Sequence, residues 1–479
     1  MHDGSRPEAG LDGVTRKVAP YVFLGQTLSM CEECWQLVPT KIMREGDNVY
    51  YQKRCREHGV QKTIVSTDAA YFLAARDYLK PGDRPLKPQT RTDYGCPYDC
   101  GLCPDHEQHS CLAIIEVNQA CNLTCPVCFA NSSPAKDGTK TLAEVEQMLD
   151  LLVESEGEPD LVQISGGEPT IHPQIMDILR LTMTKPIRHV MLNTNGLRIA
   201  REDGFAAELA SLGEGFEVYL QFDSTEKDAL KDIRGADLSR VRMQALAALE
   251  KHGISTTLVA VIKKGVNDHE INAIIEEGLR WNCVRGVTFQ PVQSAGRNEG
   301  FDPKKNRMVL SEIRRAIVEG PTAFEGGDMI PLPCNPESIS IGYALRNGEE
   351  IVPITSMIPK DVIVDEVPNA VTFEKYPELK ARIFEFFSLS TNDQNASQRM
   401  EALLCCLPSI ETPQSVSYEN LFRVAISEFL DPYNFCVARV KRSCVHFVTP
   451  DQGIIPFDTY NLLYRDGKID ERRRAAGLL

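Results

Sequence analysis

Cys121, Cys125 and Cys128, spaced as Cys-Asn-Leu-Thr-Cys-Pro-Val-Cys, are the residues of this chain best suited to chemistry. Thiolates are soft ligands that suit iron–sulfur clusters. Three of them can hold a four-iron, four-sulfur cluster and leave one iron without a protein ligand, whereas a pure electron carrier normally uses four. A small molecule can bind at that open iron and be reduced. A structural zinc knuckle is the alternative use of such a triplet. Further along, the strand-like run Leu161–Ile164 ends in Ser165-Gly166-Gly167-Glu168-Pro169. Its two glycines let the backbone come close to a ligand, and its carboxylate can accept a hydrogen bond from an amine.

The chain has 16 cysteines, and ten of them lie between Cys31 and Cys128, a clustering that argues for metals rather than disulfides. Cys96, Cys100 and Cys103 repeat the spacing of the first triplet, and Cys111 adds a fourth thiol. This reads as an auxiliary four-cysteine cluster, with structural zinc as the alternative. Cys31, Cys34, Cys55 and His58 suit a mononuclear tetrahedral ion, either zinc or a rubredoxin-like iron. Cys334, Cys405 or Cys406, Cys436 and Cys444 are a candidate set for a further cluster, against which stands the behaviour of free cysteine as a small buried hydrophobe. Cys283, near the start of a strand, reads as core.

These residues need elements to position them. From 112 to about 320, β-branched runs alternate with amphipathic ones. Strands are predicted at 112–118, 160–165, 187–193, 216–222, 256–263 and 286–291, and helices near 142–154, 173–184, 202–212, 239–252, 268–280 and 310–319. Six strand–helix units imply a parallel sheet with helices outside. Residues 1–20 read as a disordered leader, 21–92 as a metal-binding module with its connector, and 93–111 as the auxiliary cluster loop. Residues 321–479 read as an α-rich C-terminal extension with helices at 374–388, 396–405 and 417–430. In the α/β region Asn193, Asn195, Gln221, Asp223, Gln290, Gln293 and Arg297 follow strand ends, where they either meet a ligand or cap the next helix.

Net charge is −15, and no basic stripe marks a nucleic-acid partner. No stretch reaches 18 apolar residues, so no spanning helix is predicted, and with no secretory signal the expected location is cytoplasmic.

The cysteine triplet, its preceding strand and the Gly-Gly-Glu turn resemble the radical S-adenosylmethionine (radical SAM) superfamily. The ordered set is more specific. Cys-x₂-Cys and Cys-x₂-His-Gly come first, then Tyr94-Gly-Cys-Pro-Tyr-Asp-Cys-Gly-Leu-Cys103, then Cys121–Ala130, Gln290-Pro, Gly296-Arg297 and Ile454-Ile-Pro-Phe457. It is similar to the class containing the tetraether lipid synthase and the pterin-cofactor radical methylases. The chain departs from that pattern at Val127, Glu337 and Asp458. The resemblance implies a partial (β/α)₆ barrel open on one side. It also implies S-adenosylmethionine (SAM) held near Ser165, Gly166, Gly167, Glu168, Asn195, Gln221 and Asp223. The activity it implies is reductive cleavage of SAM to a 5′-deoxyadenosyl radical that functionalises an unactivated C–H bond of a lipid or pterin-like molecule, by methylation or carbon–carbon bond formation. Flavodoxin or ferredoxin is the implied electron donor. The competing readings are a peptide-modifying radical SAM enzyme with auxiliary clusters and a noncatalytic iron–sulfur carrier.

Overall fold

The computed structural model describes residues 18–347, 350–365, 367–370 and 420–479. Most of the expected leader, Cys405, Cys406 and the helices expected at 374–388 and 396–405 lie outside the described residues.

Four antiparallel strands, β1 (Val22–Met30), β2 (Leu37–Glu45), β3 (Asn48–Cys55) and β4 (Gly59–Ser66), form one sheet in that order. Gly46 turns the chain between β2 and β3 with φ 58°, a left-handed conformation open to glycine. The turns at the other end carry Cys31 with Cys34 and Cys55 with His58. The 45 or so residues involved have little core of their own, and a metal staple is the usual remedy for a module this small.

The second sheet begins with β5 (Leu112–Glu116); the loop after it contains β6 (Val127–Cys128). Then come β7 (Leu161–Ser165), β8 (His189–Thr194), β9 (Phe216–Gln221), β10 (Thr256–Ile262) and β11 (Val284–Pro291). Strands β5 and β7 to β11 are parallel neighbours in chain order, which realises the six predicted strands. All five residues of β7 are buried, as expected for a strand covered on both faces. The helices Leu142–Glu156, Ile175–Thr184, Ser239–Lys251, Ile271–Leu279 and Leu310–Val318 agree with the sequence reading. The helix expected over 202–212 is the shorter Phe205–Ala210, preceded by Gly204 at φ 93°, and a further short helix, Leu197–Arg201, lies before it. The helix Lys227–Arg234 was not foreseen.

Thr141 opens the first of these helices with a capping box. Its hydroxyl accepts from Glu144 N at 3.2 Å, and its own N–H donates to the Glu144 carboxylate at 2.7 Å. Thr141→Ala is expected to cost about 1 kcal/mol, readable as a lower urea midpoint.

Beyond β12 (Arg297–Asn298), the chain adds β13 (Ile330–Pro331), β14 (Ile339–Asn347), β15 (Glu350–Pro353), β16 (Leu421–Ser427), β17 (Val445–Thr449) and β18 (Gly453–Pro456). The helix expected over 417–430 is therefore corrected to the strand β16. Its residues Phe422 to Ile426 are all buried, so no alternation marks it as a strand. Strand β16 pairs in parallel with β11, and β17 pairs in parallel with β5. The described part of the C-terminal extension thus lengthens the barrel at both edges. The sheet curls but stays open, with β13 and β18 at its margins.

Candidate active site and metal centres

The triplet lies on the loop that leaves the C-terminal end of β5, the end at which barrel enzymes place their chemistry. Cys121 and Cys125 are buried and Cys128 is partly exposed. The loop is fastened from several sides. Strand β6 pairs with β12, setting Cys128 opposite Arg297. The Arg297 guanidinium donates to Cys125 O at 2.5 Å and Ser132 O at 2.8 Å. Gly235, at the end of the helix Lys227–Arg234, sits so near that a Cβ there would stand 3.1 Å from Thr124 O. Burial pushes the Cys121 thiol up to about 12, and burial also raises Cys125 against the pull of the Arg234 guanidinium. Such thiols stay protonated until a metal displaces the proton. The three sulfurs do not all come within 4.8 Å of one another, unlike the ligand atoms of the single-ion groups described below.

A cavity opens above the strands beside the triplet, with about 1670 Å³ of non-protein space when its open mouth is counted. Gly166, Gly167, Asn195 and Gln221 line it, as do Asn193, Gln290 and Gln293. Most of the wall is apolar, and its charged members are Arg234 and Arg423.

Several expected contacts take a different form. The Glu168 carboxylate is wholly occupied by the protein. It accepts from Thr170 N and Oγ1 at 3.1 and 2.5 Å, Thr194 Oγ1 at 2.7 Å and Asn195 N at 2.8 Å. Four donors fill the acceptor positions of a carboxylate, so Glu168 organises the turn rather than offering its side chain to an amine. Ser165 is buried beneath Asn193, whose amide donates to its hydroxyl at 3.2 Å. Asp223 has 0% exposure, and both its oxygens accept from Arg234 at 2.6 Å, so it does not reach the cavity. Its backbone is held at φ 66°, unusual for a residue with a side chain. Arg297 clamps the cysteine loop instead of lining the cavity. The glycines also serve the chain itself: a Cβ at Gly167 would lie 2.1 Å from Ala120 O, on the approach to Cys121. Gly167→Ala is expected to displace that approach and lower 5′-deoxyadenosine formation by about a hundredfold, the scale on which ångström misplacement acts.

Arg234 escaped the sequence reading. Burial opposes its charge, and Asp223 more than offsets this, holding the guanidinium charged against the Cys125 sulfur. The only signal in the sequence was Gly235, a helix-ending glycine.

Elsewhere, Cys31, Cys34, Cys55 and His58 come together with all ligand atoms within 4.8 Å of one another. Cys34 Sγ and Cys55 Sγ are 3.9 Å apart, and His58 Nδ1 lies 3.6 Å from Cys31 Sγ and 3.5 Å from Cys55 Sγ. Tetrahedral zinc with bonds of about 2.3 Å to sulfur sets such sulfurs about 3.8 Å apart. Backbone N–H groups of His58 and Glu57 hold Cys55 down at about 6, ready to bind as thiolate.

Cys96 lies beside Cys100, with Cys103 nearby. Cys111 does not join them. It groups with Cys334 and Cys444, all three ligand atoms lying within 4.8 Å. The reason is strand pairing: Leu112 is opposite Val445, which sets the residues just before them side by side. Cys436 stands apart from that group, its sulfur 3.2 Å from Thr27 Oγ1. Cys283 is buried as core. No described helix is long and apolar enough to cross a membrane.

Residues 115–278 match the Radical SAM superfamily, and residues 23–67 match the HMPTM N-terminal zinc ribbon domain. With the triplet, the Gly-Gly-Glu turn and the half-barrel, this identifies the chain as a radical SAM enzyme, which works with a four-iron, four-sulfur cluster and SAM. It is 29% identical over 486 residues to the 7,8-dihydro-6-hydroxymethylpterin dimethyltransferase of Methanocaldococcus jannaschii, a match covering 93% of this chain and 95% of that protein. GTP 3′,8-cyclase of Brucella canis is 30% identical over 209 residues, 42% of this chain and 57% of that protein. Among solved structures, Streptococcus suis SuiB bound to S-adenosylmethionine has 18% identity and a TM-score of 0.35, covering 40% of this chain and 44% of that one.

Proposed function

We propose that the chain methylates a reduced pterin or a closely similar small heterocycle at an unactivated carbon. The observation that carries this reading is the near full-length similarity to a pterin dimethyltransferase. The cavity supports it. Asn193, Gln221 and Gln290 present amides within an otherwise apolar wall, a pattern suited to a flat ring with donors and acceptors on its edge. Gln221 donates to Asn193 Oδ1 at 3.4 Å, and Gln290 donates to the Tyr219 hydroxyl at 3.3 Å, so the amides are held in place before a substrate arrives.

In this reading Cys121, Cys125 and Cys128 hold the cluster with its open iron, and the turn of Gly166 and Gly167, with Asn195 and Gln221, faces SAM. When bound, the cluster and SAM would supply a 5′-deoxyadenosyl radical able to take a hydrogen atom from substrate, and the methyl group would come from a separate folate-type donor. The protein's own work is to orient the ring and keep water from the radical. The apolar wall of Leu161, Met191, Val259 and Ile341 does the second. Cys96, Cys100 and Cys103 hold an auxiliary iron–sulfur centre, the Cys31–His58 module holds a single zinc or iron, and a low-potential flavodoxin or ferredoxin supplies electrons.

The test incubates anaerobically reconstituted, reduced protein with excess SAM, a methylene-folate donor and 6-hydroxymethyl-7,8-dihydropterin, then follows 5′-deoxyadenosine and pterin mass. Expected are 5′-deoxyadenosine and a pterin heavier by one or two methylene units. Formation of 5′-deoxyadenosine with no change of the pterin would remove the pterin reading and leave the radical chemistry standing.

A further inference from the structure

We propose that the cavity takes its ring substrate without a charged tail, as the free alcohol rather than a phosphate ester, and that Glu217 sets this preference by neutralising Arg423. The inference rests on the pterin reading and adds the charge state of the ligand.

The cavity runs from the Cys121 loop down to the starts of the strands, where Leu161, Thr257 and Arg423 line it. Arg423 reaches it from β16, outside the stretch that matches the superfamily. Its register partner on β11 is Gly286. A Cβ there would stand 2.5 Å from Arg423 Cγ, so the glycine clears the way for the arginine to lie across β11 toward β10 and β9. At the far side Arg423 Nη2 donates to Glu217 Oε1 at 2.7 Å and to Thr257 Oγ1 at 2.9 Å. Glu217 has 0% exposure. The Thr257 hydroxyl donates to the same Oε1, and His189 Nε2 lies 3.0 Å from Oε2.

Charge decides what this floor can hold. Among the described residues, Arg234 and Arg423 are the charged members of the wall. Arg234 is bound by both oxygens of Asp223, and Arg423 by Glu217. A phosphate entering the cavity would leave water and find each of these cations already matched by a carboxylate. An anion buried without a counter-ion is strongly disfavoured. A hydroxyl or a ring carbonyl carries no such penalty. The Tyr219 hydroxyl and the Gln290 amide, joined at 3.3 Å, offer it neutral partners together with Thr288. Selectivity of this kind works by rejection as much as by attraction.

The test is binding, measured by titration calorimetry on anaerobically reconstituted, unreduced full-length protein with SAM present, so that no turnover intervenes. The two ligands are 6-hydroxymethyl-7,8-dihydropterin and its diphosphate ester. Wild-type protein is expected to prefer the alcohol by about tenfold or more, the scale of one charged contact. Glu217→Gln keeps the shape and an acceptor oxygen but leaves the Arg423 charge unmatched, so its affinity for the diphosphate is expected to rise about tenfold. With Arg423→Met added, both charges are gone and the preference for the alcohol is expected to return. A purely structural role for Glu217 would weaken both ligands alike and overturn the assignment. Equal or tighter binding of the diphosphate by wild type overturns the preference without need of a variant that folds. Should wild type bind neither ligand, the pterin reading falls and this inference with it, whereas loss of the preference alone leaves that reading standing.

Discussion

Cys125→Ala is expected to abolish 5′-deoxyadenosine formation while leaving the barrel folded. The side chain is small and the loop around it is held by contacts that do not involve the sulfur. Arg297 binds the Cys125 carbonyl and Ser132, β6 pairs with β12, and Gly235 abuts Thr124. Two remaining thiolates cannot retain the cube, so iron should fall by about four per chain while metal bound elsewhere stays constant. Anaerobic iron analysis and product chromatography check this. Persistence of 5′-deoxyadenosine in the variant would show that the triplet is not where SAM is reduced. Circular dichroism separates that outcome from simple unfolding.

The second large effect is expected at Arg234. Removing the guanidinium leaves the Asp223 carboxylate, at 0% exposure, without its two 2.6 Å partners. Arg242 approaches the same carboxylate only at 3.6 Å. Breaking a buried ion pair from one side costs about 3–5 kcal/mol, mostly from the abandoned charge. Arg234→Ala should therefore lower the urea midpoint sharply, and Asp223→Asn in the same chain should recover part of the loss, since the amide carries no charge. A double-mutant cycle measures the coupling. Because Arg234 also faces the Cys125 sulfur, the single variant should alter the electron paramagnetic resonance of the reduced cluster. A variant as stable as wild type would show that the pair contributes little.

The six barrel strands were legible because β-branched runs buried on both faces stand out against the amphipathic helices between them. The helix Lys227–Arg234 was passed over because it is short and mostly polar, with Ala229, Leu230 and Ile233 as its buried apolar residues. The C-terminal strands were hidden for the opposite reason: a short run buried on both sides has the composition of a core helix. At the site, residue types were readable but directions were not. Glu168 and Asp223 were singled out as polar groups at strand ends, and both turn inward to satisfy the chain. Cys111 was joined to its neighbours in sequence, whereas its partners lie more than 200 residues away and depend on the pairing of β5 with β17. Spacing reports ligand sets only when one local segment supplies them, as at Cys121–Cys128.

That pairing has a cost in time. The first strand of the barrel waits for one of the last to be synthesised before its flank is covered, and β11 likewise waits for β16. Contacts so distant in sequence form slowly, and until they form both flanks offer unpaired backbone to other chains. A nascent polypeptide halted near residue 440 would hold every cysteine of the Cys121 loop yet lack β17 and β18, leaving the β5 margin unfinished. Overproduction should therefore yield aggregates most readily when synthesis outruns completion of the C-terminal strands.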